Sequence, residues 1–271
     1  MASHADNSNT SAPLAGKTAV ITGASRGIGL AIAHQLAADG AALMLVASQQ
    51  DNLNKAQAAL TAAYGIRVET CAADLRQLAG CEAVHDAFSR YYDDCDLLIH
   101  SAGATRGGIF PAQPDEEYQD GFALKFHGGV RMARLFWPML KTARGQVIMI
   151  IGGAARTPDA GFMVGGAVNA ALANFTKALA GQGLKDDVNV NWVHPGQTET
   201  ERLQMLFETR ARDEGKTVEE IRAERISGEA IRRLGQPEDV AALVGFLCRP
   251  EARHIHGAGI SVDGGATKGY F

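Results

Sequence analysis

From Lys17 almost to the C-terminus, short apolar runs alternate with stretches whose apolar residues recur every three or four positions. A continuous apolar run predicts a strand buried on both faces, and the three-to-four spacing predicts a helix with one face on the core. On that basis strands are predicted at 18–21, 42–47, 67–72, 96–100, 146–151, 189–193 and 259–262. Helices are predicted at 30–36, 115–140, 165–180 and 238–247. The long 115–140 segment carries Tyr118, Phe122, Phe126, Val130, Ala133 and Trp137 along one side. Strict alternation of strand and helix predicts a parallel sheet with helices on both faces, an α/β fold of the doubly wound kind. No internal repeat or linker interrupts it, so 14–271 reads as one domain.

The turn between the first strand and the first helix contains Gly23, Gly27 and Gly29 in Gly-x-x-x-Gly-x-Gly spacing. Glycines allow a sharp turn and close backbone approach, and the free N–H groups of the new helix attract negative charge. At a first strand-to-helix turn this pattern predicts a dinucleotide site. The second strand ends at Ala47-Ser48-Gln49, without the acid that would hold a ribose 2′-hydroxyl, while Arg26 in the glycine turn can reach a 2′-phosphate. The expectation is therefore NADP(H) over NAD(H). Asp74, just past the third strand, can cap the next helix or accept from an adenine amino group. The fourth strand runs through His100 into Ser101-Ala102-Gly103, small residues against which a cofactor can lie.

Lys125 sits in the long predicted helix. At 100° per residue it projects within about 20° of Tyr118 and Met132, on or beside the apolar stripe. It either snorkels at an edge or enters a dry cleft, where desolvation would lower its pKa and make it a usable acid or base. The fifth strand leads into 152–159, a run of small residues ending in Asp159, and the sixth into 194–200. The charged stretch 201–232 reads as a helical flap over a cleft or as plain surface helix; its Leu203, Met205, Leu206 and Phe207 suggest a partly hydrophobic small-molecule substrate.

Composition narrows the picture further. Hydrophobic residues make up 46% and aromatics only 6%, which suits close helix-on-sheet packing. A net charge of −4 gives no sign of a nucleic-acid or membrane partner, and no apolar run approaches the roughly 20 residues of a membrane span. The four cysteines lack metal-ligand spacing and read as structural thiols of a reducing compartment. Residues 1–13 are polar, without a signal-peptide core, and are expected to be a disordered leader on a cytoplasmic protein.

Thr22-Gly23-x-x-x-Gly27-x-Gly29, Asp74, Ala102-Gly103, Pro195-Gly196-x-x-x-Thr200 and Val262-Asp263-Gly264-Gly265 together resemble the short-chain dehydrogenase/reductase family. The resemblance covers nearly all of 14–265. It implies a Rossmann-like seven-stranded sheet, hydride transfer between a nicotinamide cofactor and a carbonyl or alcohol carbon, and a homotetramer or homodimer. It also implies a cofactor site made of Gly23, Ser25, Arg26, Gly27, Ile28, Gly29, Ser48, Asp74, Leu75, Ser101, Ala102, Gly103, Pro195, Gly196, Thr198 and Thr200.

The family handles its proton with an Asn-Ser-Tyr-Lys set, and this chain departs from it at all four positions. Lys125 falls at the Asn position, Gly152 or Gly153 at the Ser position, Gly165 at the Tyr position and Asn169 at the Lys position. No tyrosine lies between Gln119 and Gly269, so the donor has been replaced, not displaced. Lys125, His100 and Asp159 are the nearest substitutes by sequence position. The competing expectations are an oxidoreductase with a rebuilt proton relay, a non-redox enzyme (lyase, hydrolase or isomerase), and a non-catalytic nucleotide-binding protein.

Overall fold

The computed structural model describes residues 12–269, so the expected leader lies, up to residue 11, outside the described residues. Strands β1 (Thr18–Thr22), β2 (Ala42–Ala47), β3 (Val68–Ala72), β4 (Leu97–His100), β5 (Gln146–Ile150), β6 (Asn189–Pro195) and β7 (Gly259–Val262) form one sheet. It is parallel throughout, in the order β3-β2-β1-β4-β5-β6-β7. This is the doubly wound arrangement that the alternation predicts.

Successive strand residues point to opposite faces, and each face is covered. Ile21, Leu43, Leu45, Ile99 and Ile148 pack against Ile32 and Leu36 of α1 (Gly27–Ala38) and Val240 and Val244 of α9 (Pro237–Cys248). The opposite face sets Val20, Met44, Leu98 and Val147 against Phe88 of α3 (Leu78–Ser89), Phe136 of α5 (Gly128–Ala143) and Leu172 of α6 (Met163–Asp186). The helix α2 (Gln50–Tyr64) lies between β2 and β3 in the chain. Because β1 has β2 on one side and β4 on the other, the crossovers reverse direction there. The carboxyl ends of those two strands are the edge at which such sheets hold a ligand, in a crevice between the outgoing connections.

Three local expectations change. The 115–140 segment is not one regular helix: α4 (Asp115–Gly121) passes into a π-helical stretch, Phe122–His127, before α5. An i→i+5 turn resets the helical phase, so the uniform 100° projection does not place Lys125. Asp74 does not cap α3, whose N-cap is Gln77; its Oδ1 instead accepts from the Arg76 backbone N–H at 3.0 Å. The charged stretch forms α7 (Glu201–Glu214) and α8 (Val218–Glu229) with a small core of its own. Leu203 and Phe207 are buried there with Ile221, Ile231 and Leu234, which leaves Met205 and Leu206 as the exposed apolar side chains of α7.

Candidate functional site

The glycine turn is built by backbone necessity. Gly23 and Gly27 have φ of +69° and +55°, in the left-handed region that side chains disfavour. At Gly23 an added Cβ would lie 3.0 Å from the Ala102 backbone, and at Gly29 it would overlap the Gly23 carbonyl. The turn thus packs directly on the β4 strand end. The N-terminus of α1 has no side-chain cap and no acid in its first turn, so its N–H groups face the crevice free. Across the crevice, a Cβ at Gly27 would sit 3.3 Å from Thr200 Cγ2, and Thr200 Oγ1 accepts from the Leu203 N–H to cap α7. Arg26 is exposed and pairs with Glu201 at 3.3 Å. Ser48 is exposed at the end of β2 and Leu75 is buried beneath the crevice. Gly196 is held against β7, its N–H donating to the Val262 carbonyl at 3.0 Å, while the Thr198 hydroxyl donates to the Gly196 carbonyl.

Thr22 ties the strand ends together. Its Oγ1 accepts from the N–H groups of Ser101 (3.1 Å) and Ala102 (3.0 Å) and lies 3.0 Å from His100 Nδ1. With both lone pairs taken, the hydroxyl must donate to Nδ1. His100 then carries its proton on Nε2 and donates it to the Lys125 carbonyl at 3.2 Å. The ring is fully buried and neutral, its pKa lowered to about 4 by burial, with the bond to the carbonyl opposing and the Lys125 charge reinforcing the shift. His100 therefore fixes the carbonyl of the π-helical stretch and has no proton free for a ligand.

Lys125 lies half-buried at the same carboxyl edge. Its aliphatic chain lies on Gly103, where an added Cβ would meet Cδ at 2.7 Å, so glycine is what admits the lysine. Among the described residues no hydrogen bond or ion pair reaches its Nζ, and burial, then the charge of Arg202, lower its pKa to about 8. Arg202, from the first turn of α7, donates to the Thr105 carbonyl and is likewise shifted down by burial. His194, at the end of β6, is neutral for the same reasons as His100. Burial lowers its pKa, its Nδ1–H donates to the Ile151 carbonyl at 2.8 Å, and Nε2 accepts from Trp192 at 2.8 Å.

The glycine-lined side of the crevice is not empty. The Phe162 ring lies where a Gly165 side chain would project, so that a Cβ at Gly165 would overlap it. Asn169 is buried, its Oδ1 accepting from the Gly152 N–H at 2.8 Å and its Nδ2 donating to the Gly165 carbonyl at 2.7 Å. Asp159 lies in an exposed loop and accepts from the Gly161 N–H at 2.7 Å. Of the three sequence-selected substitutes, Lys125 and His100 come together and Asp159 turns into its own loop. Arg202 and Phe162 escaped sequence reasoning: one is a cation in a run of charges, the other an aromatic in an apolar stretch.

The enoyl-(acyl carrier protein) reductase family model matches residues 23–267. The chain is 31% identical to 2,3-dihydro-2,3-dihydroxybenzoate dehydrogenase of Bacillus subtilis over 94% of its length and 97% of the relative's. Among solved structures it resembles L-sorbose reductase from Gluconobacter frateurii complexed with NADPH and L-sorbose, with a TM-score of 0.92, 31% identity and coverage of 96% and 100% of the two chains. It also resembles 7α-hydroxysteroid dehydrogenase complexed with NADH, with a TM-score of 0.86, 26% identity and coverage of 96% and 97%. The chain belongs to the short-chain dehydrogenase/reductase family.

Proposed function

We propose that this chain is an NADP(H)-preferring oxidoreductase acting on a carbonyl or alcohol carbon, with Lys125 in place of the family's proton-handling set. A nicotinamide dinucleotide, when bound, supplies or accepts the hydride. The crevice fits such a group: the uncapped N-terminus of α1 offers backbone N–H groups to a pyrophosphate, and side-chain-free glycines clear its approach. Ser25, Gly27, Ile28 and Gly29 would hold the pyrophosphate, Arg26 a 2′-phosphate, and Ser48, Asp74 and Leu75 the adenosine end. Ser101, Ala102 and Gly103 would lie under the middle of the molecule, and Pro195, Gly196, Thr198 and Thr200 at the nicotinamide end. Arg26 supports a 2′-phosphate preference because its pairing with Glu201 is solvent-exposed and thus weak enough to exchange.

The observation that carries the catalytic reading is the Lys125 ammonium, unpartnered among the described residues, while His100 and the residues at the family's Tyr and Lys positions are otherwise engaged. His100 holds a carbonyl, Asn169 bridges the β5–α6 connection, and Gly165 is covered by Phe162. With a pKa near 8, Lys125 is mostly protonated at neutral pH and can give its proton to a nascent alkoxide or stabilise its charge. The Phe162 ring at the tyrosine position is the observation that favours a second reading, a non-redox enzyme or a nucleotide-binding protein without turnover.

Calorimetric titration with NADPH and NADH, followed by a panel of ketones and aldehydes monitored at the reduced-nicotinamide absorbance band, separates these readings. Tight NADPH binding and turnover are expected, with Lys125→Met lowering kcat on the order of 10²–10⁴-fold. Binding without turnover on any carbonyl supports the second reading, and binding of neither nucleotide overturns the oxidoreductase and nucleotide-binding readings.

A further inference from the structure

Lys125 and Arg202 converge on the segment after β4, and among the described residues neither has a counter-ion. Lys125 Nζ has no hydrogen-bond or ion-pair partner among the described residues, and Arg202 makes a single bond, to the neutral Thr105 carbonyl. Both side chains lie on the same short segment, Lys125 along Gly103 and Arg202 on the Thr105 carbonyl two residues further on. Lys125 is half-buried and Arg202 reaches solvent, and two like charges facing one site without an acid between them favour an anion there. The acids closest to them along the chain have other partners. Glu201, next to Arg202 in the chain, pairs with Arg26; Glu199 pairs with Arg222; and Glu117 pairs with Arg106. Asp159 accepts within its own loop.

We propose that Lys125 and Arg202 together form the docking site for an anionic group, a carboxylate or a phosphate, carried by the substrate. This rests on the reading of the crevice as the substrate site. A guanidinium presents its donors as a planar fork that matches either oxyanion bidentately, and the Thr105 bond fixes that fork while leaving most of its N–H groups free. Lys125, laid along Gly103, adds a point charge beside the segment that fixes Arg202. The substrate class is thus a carbonyl compound, or its alcohol, that bears an acidic group. The exposed Met205 and Leu206 of α7 are available to the rest of such a molecule.

The test uses the full chain and three probes: 4-phenyl-2-oxobutanoate, its methyl ester, and phenyl phosphate. Binding is measured by calorimetry at low and high salt, with and without saturating NADPH. The carboxylate is expected to bind at least tenfold more tightly than the ester, to weaken as salt rises, and to lose that advantage in both Arg202→Gln and Lys125→Met. The phosphate arm decides which oxyanion the fork prefers. Equal binding of acid and ester, no binding of either anion, or an advantage that survives both substitutions overturns the proposal. Loss of anion binding on saturation with NADPH assigns the two cations to the nucleotide and also overturns it. NADPH binding with ester-blind turnover sinks the anion site alone, whereas an acid preference without nucleotide binding sinks the redox reading alone.

Discussion

His100 shows how one buried ring can set the acid limit of a protein. Its folded-state pKa of about 4 lies below the 6.5 of a free imidazole. Between those values the unfolded chain takes up a proton that the folded chain refuses, so stability falls as pH drops from about 6.5 to about 4. The full contribution is on the order of 3 kcal/mol. Denaturant unfolding across that range should show a His100→Asn variant with a shallower acid slope than the parent; equal slopes would mean that the ring does not stay neutral. Lys125 bears on rate instead. As a general acid it is lost by deprotonation, so kcat/KM should fall as pH rises through about 8. An anion bound beside it favours the charged form, which moves the corresponding limb of kcat to higher pH. A pH–rate profile flat through that region would remove Lys125 from the chemistry. The sequence placed Lys125 and His100 near the site because both follow from the family motif. It could not show that Thr22 locks the His100 tautomer, since that depends on three hydrogen bonds converging from two strands.

At the level of elements, the connection from β5 into α6 replaces side-chain chemistry with packing. Gly165 lies inside α6, where glycine normally costs about 1 kcal/mol relative to alanine. Here the Phe162 ring occupies the space a side chain would need, and Asn169 binds the Gly165 carbonyl from one turn further on. Gly165→Ala should therefore destabilise by about 1–3 kcal/mol, the cost of overpacking, instead of stabilising. In a Phe162→Ala background the same change should become neutral or favourable, and a double-mutant cycle in urea measures that coupling directly. The hydrophobic pattern could not announce this contact: a phenylalanine three residues before a glycine reads as ordinary lining. Periodicity failed similarly at Phe122–His127, where the π-helical stretch leaves the residue types of an amphipathic helix intact while changing their phase. It succeeded for the strands because burial on both faces leaves an uninterrupted apolar run, a signal that survives errors of a residue at either end.

For the molecule as a whole, function depends on the sheet order. Reversal of the crossovers at β1 puts the glycine turn, the Thr22–His100 crosslink and the π-helical stretch at one carboxyl edge, and α7 brings Thr200 and Arg202 over them. That topology was legible from alternation and motifs; the separate core under α7 and α8 was not, because apolar residues scattered through a charged run look like surface. Linkage gives the whole-molecule test of the crevice. A ligand at a hundred times its Kd stabilises the folded state by about 2.7 kcal/mol, which for a chain of this size raises Tm by about 5–10 °C. NADPH should produce that rise, and NADH a smaller one at equal concentration. Arg26→Ala should lower the NADPH shift to the level of NADH and leave the NADH shift unchanged, because Arg26 is exposed and its one ion pair among the described residues is the weak contact with Glu201. Equal shifts for the two nucleotides in the parent chain would show that the glycine turn holds a pyrophosphate without reading the 2′-phosphate.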